Sequence, residues 1–192
     1  MFELSLFFSL FIIIVFLAGI SLSYFFFNKE IISINLGEIG FLGIFFFTLI
    51  SFIVHFFFPL SESNNFIIVI ITCLLSLILF NIKLILKKFF SEKIFLFFSF
   101  SIVLIMTIKY KTHEDFGFYH LPYIINLISE KVIFGMSIIQ PQFAWNSSWL
   151  NFSSLLNLPL IGIKGTLLSN SVLYFFTLIF FFSEIKNNIK KN

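Results

Sequence analysis

Arginine is missing altogether, and 192 residues contain one aspartate, one cysteine and four prolines. Each scarcity excludes something. A single cysteine, Cys73, cannot build a disulfide framework, and its place in an apolar run reads as a small buried hydrophobe rather than a reactive thiol. The twelve basic residues are all lysine, and a formal charge of +3 scattered along the chain builds no groove for nucleic acid. Charged residues make up only 11% of the chain, too few to coat a water-soluble domain. What stands in their place is apolar mass: 59% hydrophobic residues, 21% aromatic, and a mean hydropathy of +1.08. One small core cannot hide that much apolar surface, whereas a lipid bilayer can.

Five apolar stretches are long enough for membrane-crossing helices: Leu4–Phe27, Phe41–Leu60, Phe66–Leu86, Ile94–Tyr110 and Gly165–Phe182. The predicted fold is therefore an all-α integral membrane protein with about five transmembrane helices and one large loop containing interfacial helices. Residues 1–110 hold the first four spans, 111–153 the loop, and 154–192 a short apolar segment, the fifth span and a tail. The first span lacks a basic leader and a small-residue cleavage site, so it reads as a retained helix rather than a signal peptide.

Lysine placement orients the spans. Lys83, Lys87, Lys88 and Lys93 follow the third span, and Lys186, Lys190 and Lys191 follow the fifth. Both clusters belong on the cytoplasmic side, and two intervening spans make the assignments agree. The loop 111–153 and the N-terminus then face outward, the C-terminus is cytoplasmic, and the bacterial inner membrane is the expected location. His55 falls near the outer end of the second span, where an interfacial or hydrogen-bonded imidazole is expected.

The outward loop carries the candidate chemistry. It holds Asp115, the only aspartate, preceded by Glu114 and flanked by His113 and His120. Pro122 suits a first helical turn, and Leu121, Ile124, Ile125 and Ile128 share one face of an amphipathic helix expected along the membrane surface. Asp115, Gly117, Tyr119 and His120 occupy the preceding turn. Further on, Trp145 and Trp149 are four residues apart, with Phe152 continuing the same helical face. Two readings stand: an aromatic belt that anchors an interfacial helix, or a platform for a sugar or lipid head group with Gln142, Asn146 and Asn151 as hydrogen-bonding partners. Lys164, between Gly162 and Gly165, reads as snorkelling to the outer interface or meeting a phosphate there.

The run Glu114-Asp115-Phe116-Gly117-Phe118-Tyr119-His120-Leu121-Pro122, followed by Phe143-Ala144-Trp145-Asn146-Ser147-Ser148-Trp149, resembles the GT-C superfamily of polyprenyl-phosphate-sugar-dependent glycosyltransferases. In that superfamily an aspartate sits in the first large extracytoplasmic loop, after a transmembrane helix and before an interfacial one. The resemblance implies transfer of a sugar from a polyprenyl-phosphate carrier to an extracytoplasmic glycan or lipid. It implies Asp115 and Glu114 as the catalytic pair or as ligands of a divalent cation. His120, Tyr119, Trp145, Asn146, Trp149 and Lys164 become substrate-binding candidates. Here the loop follows the fourth predicted span, whereas many such enzymes carry it after the first. Similar enzymes continue for many more helices, so the chain is expected to be an N-terminal portion, with a possible partner chain supplying the rest. The alternatives are a non-catalytic membrane protein or inactive fragment, or a transporter or flippase component. Against transport, no predicted span carries a central acid or a pair of facing charges.

Overall fold

The computed structural model describes residues 2–27, 34–79, 89–109, 116–139, 141 and 147–191. In chain order these form helices α1 (Phe2–Phe27), α2 (Leu36–His55), α3 (Glu62–Leu79) and α4 (Lys93–Lys109). A π-helical turn, Phe116–His120, leads into α5 (Leu121–Ser129), followed by the single turn α6 (Met136–Ile139) and α7 (Ser148–Leu155). A 3-10 segment, Ile163–Leu168, then runs into α8 (Ser169–Lys191). Among the described residues there is no strand, only an isolated bridge between Leu158 and Gly162.

Among the described residues, three helical segments are long and apolar enough to cross a membrane: Glu3–Phe26, Leu36–His55 and Ile163–Ile189. A shorter apolar helix spans Glu62–Ile78. Large apolar side chains lie bare along α3 (Ile71, Leu74, Leu75, Ile78) and α4 (Ile94, Phe97, Phe98, Ile105). Exposed apolar area of that extent is costly in water and favourable against lipid chains. The protein is an all-helical membrane protein.

The helix limits differ from the hydropathy reading in instructive places. The second helix begins at Leu36 rather than Phe41 because of a capping box. The Asn35 side-chain oxygen accepts from the Glu38 N–H, and the Glu38 carboxylate accepts from the Asn35 N–H, both at 2.8 Å. It ends at His55 rather than Leu60, because Pro59 disfavours helical geometry at Phe58. The Phe57 and Phe58 amides instead both donate to the Val54 carbonyl at 2.9 Å. The residues predicted as a tail continue α8 to Lys191.

Two compact groups of residues make up the chain. The first comprises 1–46, 70–109 and 170–192. Its core is Phe8, Phe11, Val15, Phe175, Phe176 and Ile179, all at most 3% exposed. Small polar residues join its helices: Ser21 and Ser76 hydroxyls lie 2.6 Å apart, those of Thr107 and Ser171 2.7 Å, and Ser183 donates to Glu92 at 3.0 Å. Interhelical hydrogen bonds of this kind take the place that the hydrophobic effect cannot fill between helices in lipid. The second group comprises 47–69 and 110–169, with Leu60, Ile124, Leu127, Phe152, Leu155 and Leu156 buried. On α5 the buried pair is Ile124 and Leu127, while Ile125, predicted on the apolar face, is 48% exposed.

Candidate functional site

The candidate residues belong to the second group. Asp115 and Glu114 lie outside the described residues, as do Trp145 and Asn146. The described chain resumes at Phe116. From there the π-helical turn passes into α5 without a break, since His120, at the junction, has helical backbone angles and Pro122 falls within the first helical turn. Tyr119 and His120 are exposed on this turn. Trp149 is half-buried on α7, its ring centroid 5.2 Å from that of Phe152. Lys164 is exposed in the 3-10 segment. Among the described residues no hydrogen bond or ion pair joins Tyr119, His120 and Lys164, so the structure does not gather these three into one constellation.

A divalent cation would need Glu114 and Asp115, both outside the described residues, and among the described residues no three His, Cys, Asp or Glu side chains gather around a common point.

The described residues do form a cavity of about 240 Å³. Its walls come from the C-terminal turn of α2, from α5, from the turn at 131–137 and from α7. Backbone hydrogen bonds lock these pieces together: the Val132 N–H donates to the His55 carbonyl at 3.1 Å, and the Leu60 N–H to the Leu127 carbonyl at 2.8 Å. Gly135, at φ +83°, makes the reversal between them without the strain that a side chain would bring.

Two polar atoms in this lining lack any hydrogen-bond partner, His55 Nδ1 and Asn151 Oδ1. Both side chains are buried, His55 at 6% exposure and Asn151 at 1%. An unsatisfied buried polar atom costs about 1–3 kcal/mol, which makes two around one cavity informative. For His55, expected to be interfacial or hydrogen-bonded, the backbone carbonyl accepts from the Val132 N–H while the imidazole Nδ1 has no hydrogen-bond partner. Asn151, offered in one of the two sequence readings as a hydrogen-bonding partner for a head group, is buried and lines this cavity. The neighbouring Asn126 amide donates only to the thioether sulfur of Met136, at 3.3 Å, a weak acceptor.

Tyr123 also lines the cavity, and burial pushes its phenol above the ordinary tyrosine range. The neutral phenol is the favoured form in the folded protein, so this contribution to stability is whole below about pH 10, where unfolded tyrosine ionises, and is lost as pH rises through the folded value. Phenolate absorbance during an alkaline titration should therefore show a late step that is absent in Tyr123→Phe.

The chain belongs to the family described as a domain of unknown function (DUF8201), which matches residues 1–192. No curated protein and no solved structure matches the chain.

Proposed function

We propose that this chain is a glycosyltransferase of the GT-C type, or the N-terminal portion of one, moving a sugar from a polyprenyl-phosphate carrier to an extracytoplasmic glycan or lipid. The supporting observation is the order of elements around Asp115: the apolar helix α4, then the acid, then the π-helical turn running directly into the short helix α5. That is the order the resemblance calls for. In the same reading the chain crosses a bacterial inner membrane five times, with 111–153 outside and the C-terminus in the cytoplasm.

The chemistry asked of Asp115 is general-base catalysis. The acceptor hydroxyl oxygen attacks the anomeric carbon as the bond from that carbon to the carrier phosphate oxygen breaks. The phosphate leaves with the bonding electrons, and the hydroxyl proton passes to the Asp115 carboxylate. Glu114, the preceding residue, is the second carboxylate of the pair, suited to hold a divalent cation together with Asp115. His120 and Lys164, both exposed, are the groups suited to the carrier phosphate. Tyr119, Trp145, Asn146 and Trp149 offer the aromatic faces and amide groups that sugars bind.

Removing a general base lowers turnover by about 10²–10⁴-fold. In the full-length gene product, Asp115→Asn should thus abolish measurable transfer from radiolabelled polyprenyl-phosphate sugar while expression and membrane insertion stay at wild-type levels. Transfer at the wild-type rate by Asp115→Asn would remove Asp115 from the mechanism.

A further inference from the structure

We infer that the cavity around His55 and Asn151 is a binding site for a single neutral, hydroxyl-bearing ring of monosaccharide size. This deepens the sugar-transfer reading by naming a second locus where a sugar is held, yet its warrant is the cavity itself.

The size sets the first bound. About 240 Å³ is several times the ~30 Å³ share of a water molecule and below the ~300 Å³ at which sites for drug-sized ligands begin. One ring of monosaccharide size fits. Charge sets the second. The described residues lining the cavity include no lysine, aspartate or glutamate, so with His55 as neutral imidazole a neutral ligand needs no counter-charge there.

Hydrogen-bonding capacity sets the third. Asn151 Oδ1 can only accept, so its partner must be a donor. His55 Nδ1 accepts or donates according to its tautomer, and a hydroxyl answers either. The Asn126 amide, held only by a thioether, can exchange that bond for a better acceptor at little cost. A ligand with adjacent hydroxyls meets all three requirements, whereas an acyl chain meets none.

The remaining walls supply the apolar counterpart. Phe52 and Phe56 pack edge to face at 5.2 Å, and both line the cavity. Phe134, 86% exposed, stands at the rim where an incoming ring would meet it. A sugar ring presents hydroxyls at its edge and C–H groups on its faces, so it satisfies the amide side and the aromatic side together.

The test is equilibrium binding of methyl glycosides to the intact protein in lipid nanodiscs, a medium free of sugar-headed detergent, read by saturation-transfer NMR. A panel of neutral methyl hexosides and methyl N-acetylhexosaminides serves as the probe, with decane as an apolar competitor. At least one glycoside should bind saturably, and Asn151→Leu and His55→Phe should each weaken it about tenfold, the loss of one hydrogen bond to a buried partner. Phe134→Ala, at an exposed position that cannot perturb the core, should weaken it as well. No saturable glycoside, undiminished binding in both folded cavity variants or in Phe134→Ala, or displacement by decane would each overturn the site. No polyprenyl carrier is present in this assay, so failure to bind sugar and failure of Asp115-dependent transfer are separate results.

Discussion

Replacing Asn65 by Asp is expected to cost about 3–5 kcal/mol and to lower the melting temperature by about 10 °C. The change is a single atom, yet Asn65 is completely buried and its amide nitrogen serves three carbonyls. It lies 2.7 Å from the Leu60 oxygen, 2.9 Å from that of Ser154 and 3.0 Å from that of Asn157. Ser154 and Asn157 belong to the C-terminal end of α7 and the turn just beyond it. The last carbonyls of a helix lack donors further along the helix; the Asn157 N–H reaches the Ser154 oxygen at 3.1 Å, and the amide from the start of α3 adds a second donor there and one for Asn157. With two protons and three acceptors, Asn65 shares one proton between two oxygens. A carboxylate in its place aims negative charge at three oxygens that are also negative, in a site closed to water. Asn65→Ala removes the donors without adding charge and should be less severe, near 2 kcal/mol. Trp149, on α7 itself, is a natural fluorescent reporter for thermal unfolding. The diagnostic result is the ordering, with wild type melting above Asn65→Ala and Asn65→Asp lowest. Equal melting of the two variants would mean that the carbonyls find other donors.

How much of this architecture is legible in the sequence depends on the range of the interaction concerned. The apolar runs are local sums, so the helices around Leu4–Phe27 and Gly165–Phe182 are legible in outline. Pro122 and the periodic residues after it mark α5 equally well, because both signals act within two turns. The early start of α2 is also written locally, in Asn35 and Glu38, but a hydropathy scan passes over a polar capping box set before an apolar run. The roles of Asn65 and Asn151 are not legible. Asn65 finds acceptors about ninety residues away, and nothing near it in sequence distinguishes it from the adjacent Asn64. His55 stands out as an ionisable group in an apolar run, but only its placement beside α5, α7 and the 131–137 turn makes an isolated histidine part of a cavity. The candidate chemistry at Asp115 rests on sequence order, and the cavity rests on packing; neither signal discloses the other.

Glycine provides the sharpest contrast between local rule and tertiary demand. Inside an isolated helix, changing glycine to alanine stabilises by about 1 kcal/mol. At Gly19 of α1 and Gly43 of α2 the sign should reverse. A Cβ at Gly19 would overlap the Ile39 carbonyl oxygen and come within 2.9 Å of the Gly43 nitrogen. A Cβ at Gly43 would overlap the Val15 carbonyl oxygen and come within 3.0 Å of the Gly19 nitrogen. The obstructing atoms are backbone, which cannot swing aside as the end of a side chain can. The two helices therefore meet backbone to backbone, and each glycine is the small residue that allows it. Gly40, one turn before Gly43, leaves room in the same way for the ring of Phe176 on α8. Gly43→Ala should destabilise by about 1–3 kcal/mol through forced separation of α1 and α2, and Gly43→Val by more, since its branches meet the same backbone. Gly117, where an added Cβ would meet nothing within 4 Å, provides the control, and Gly117→Ala should leave the melting temperature unchanged or slightly raised. Thermal unfolding of the three variants in one lipid environment decides the matter. A higher melting temperature for Gly43→Ala would show that helix propensity outweighs the contact, and that α1 and α2 do not approach each other through these glycines.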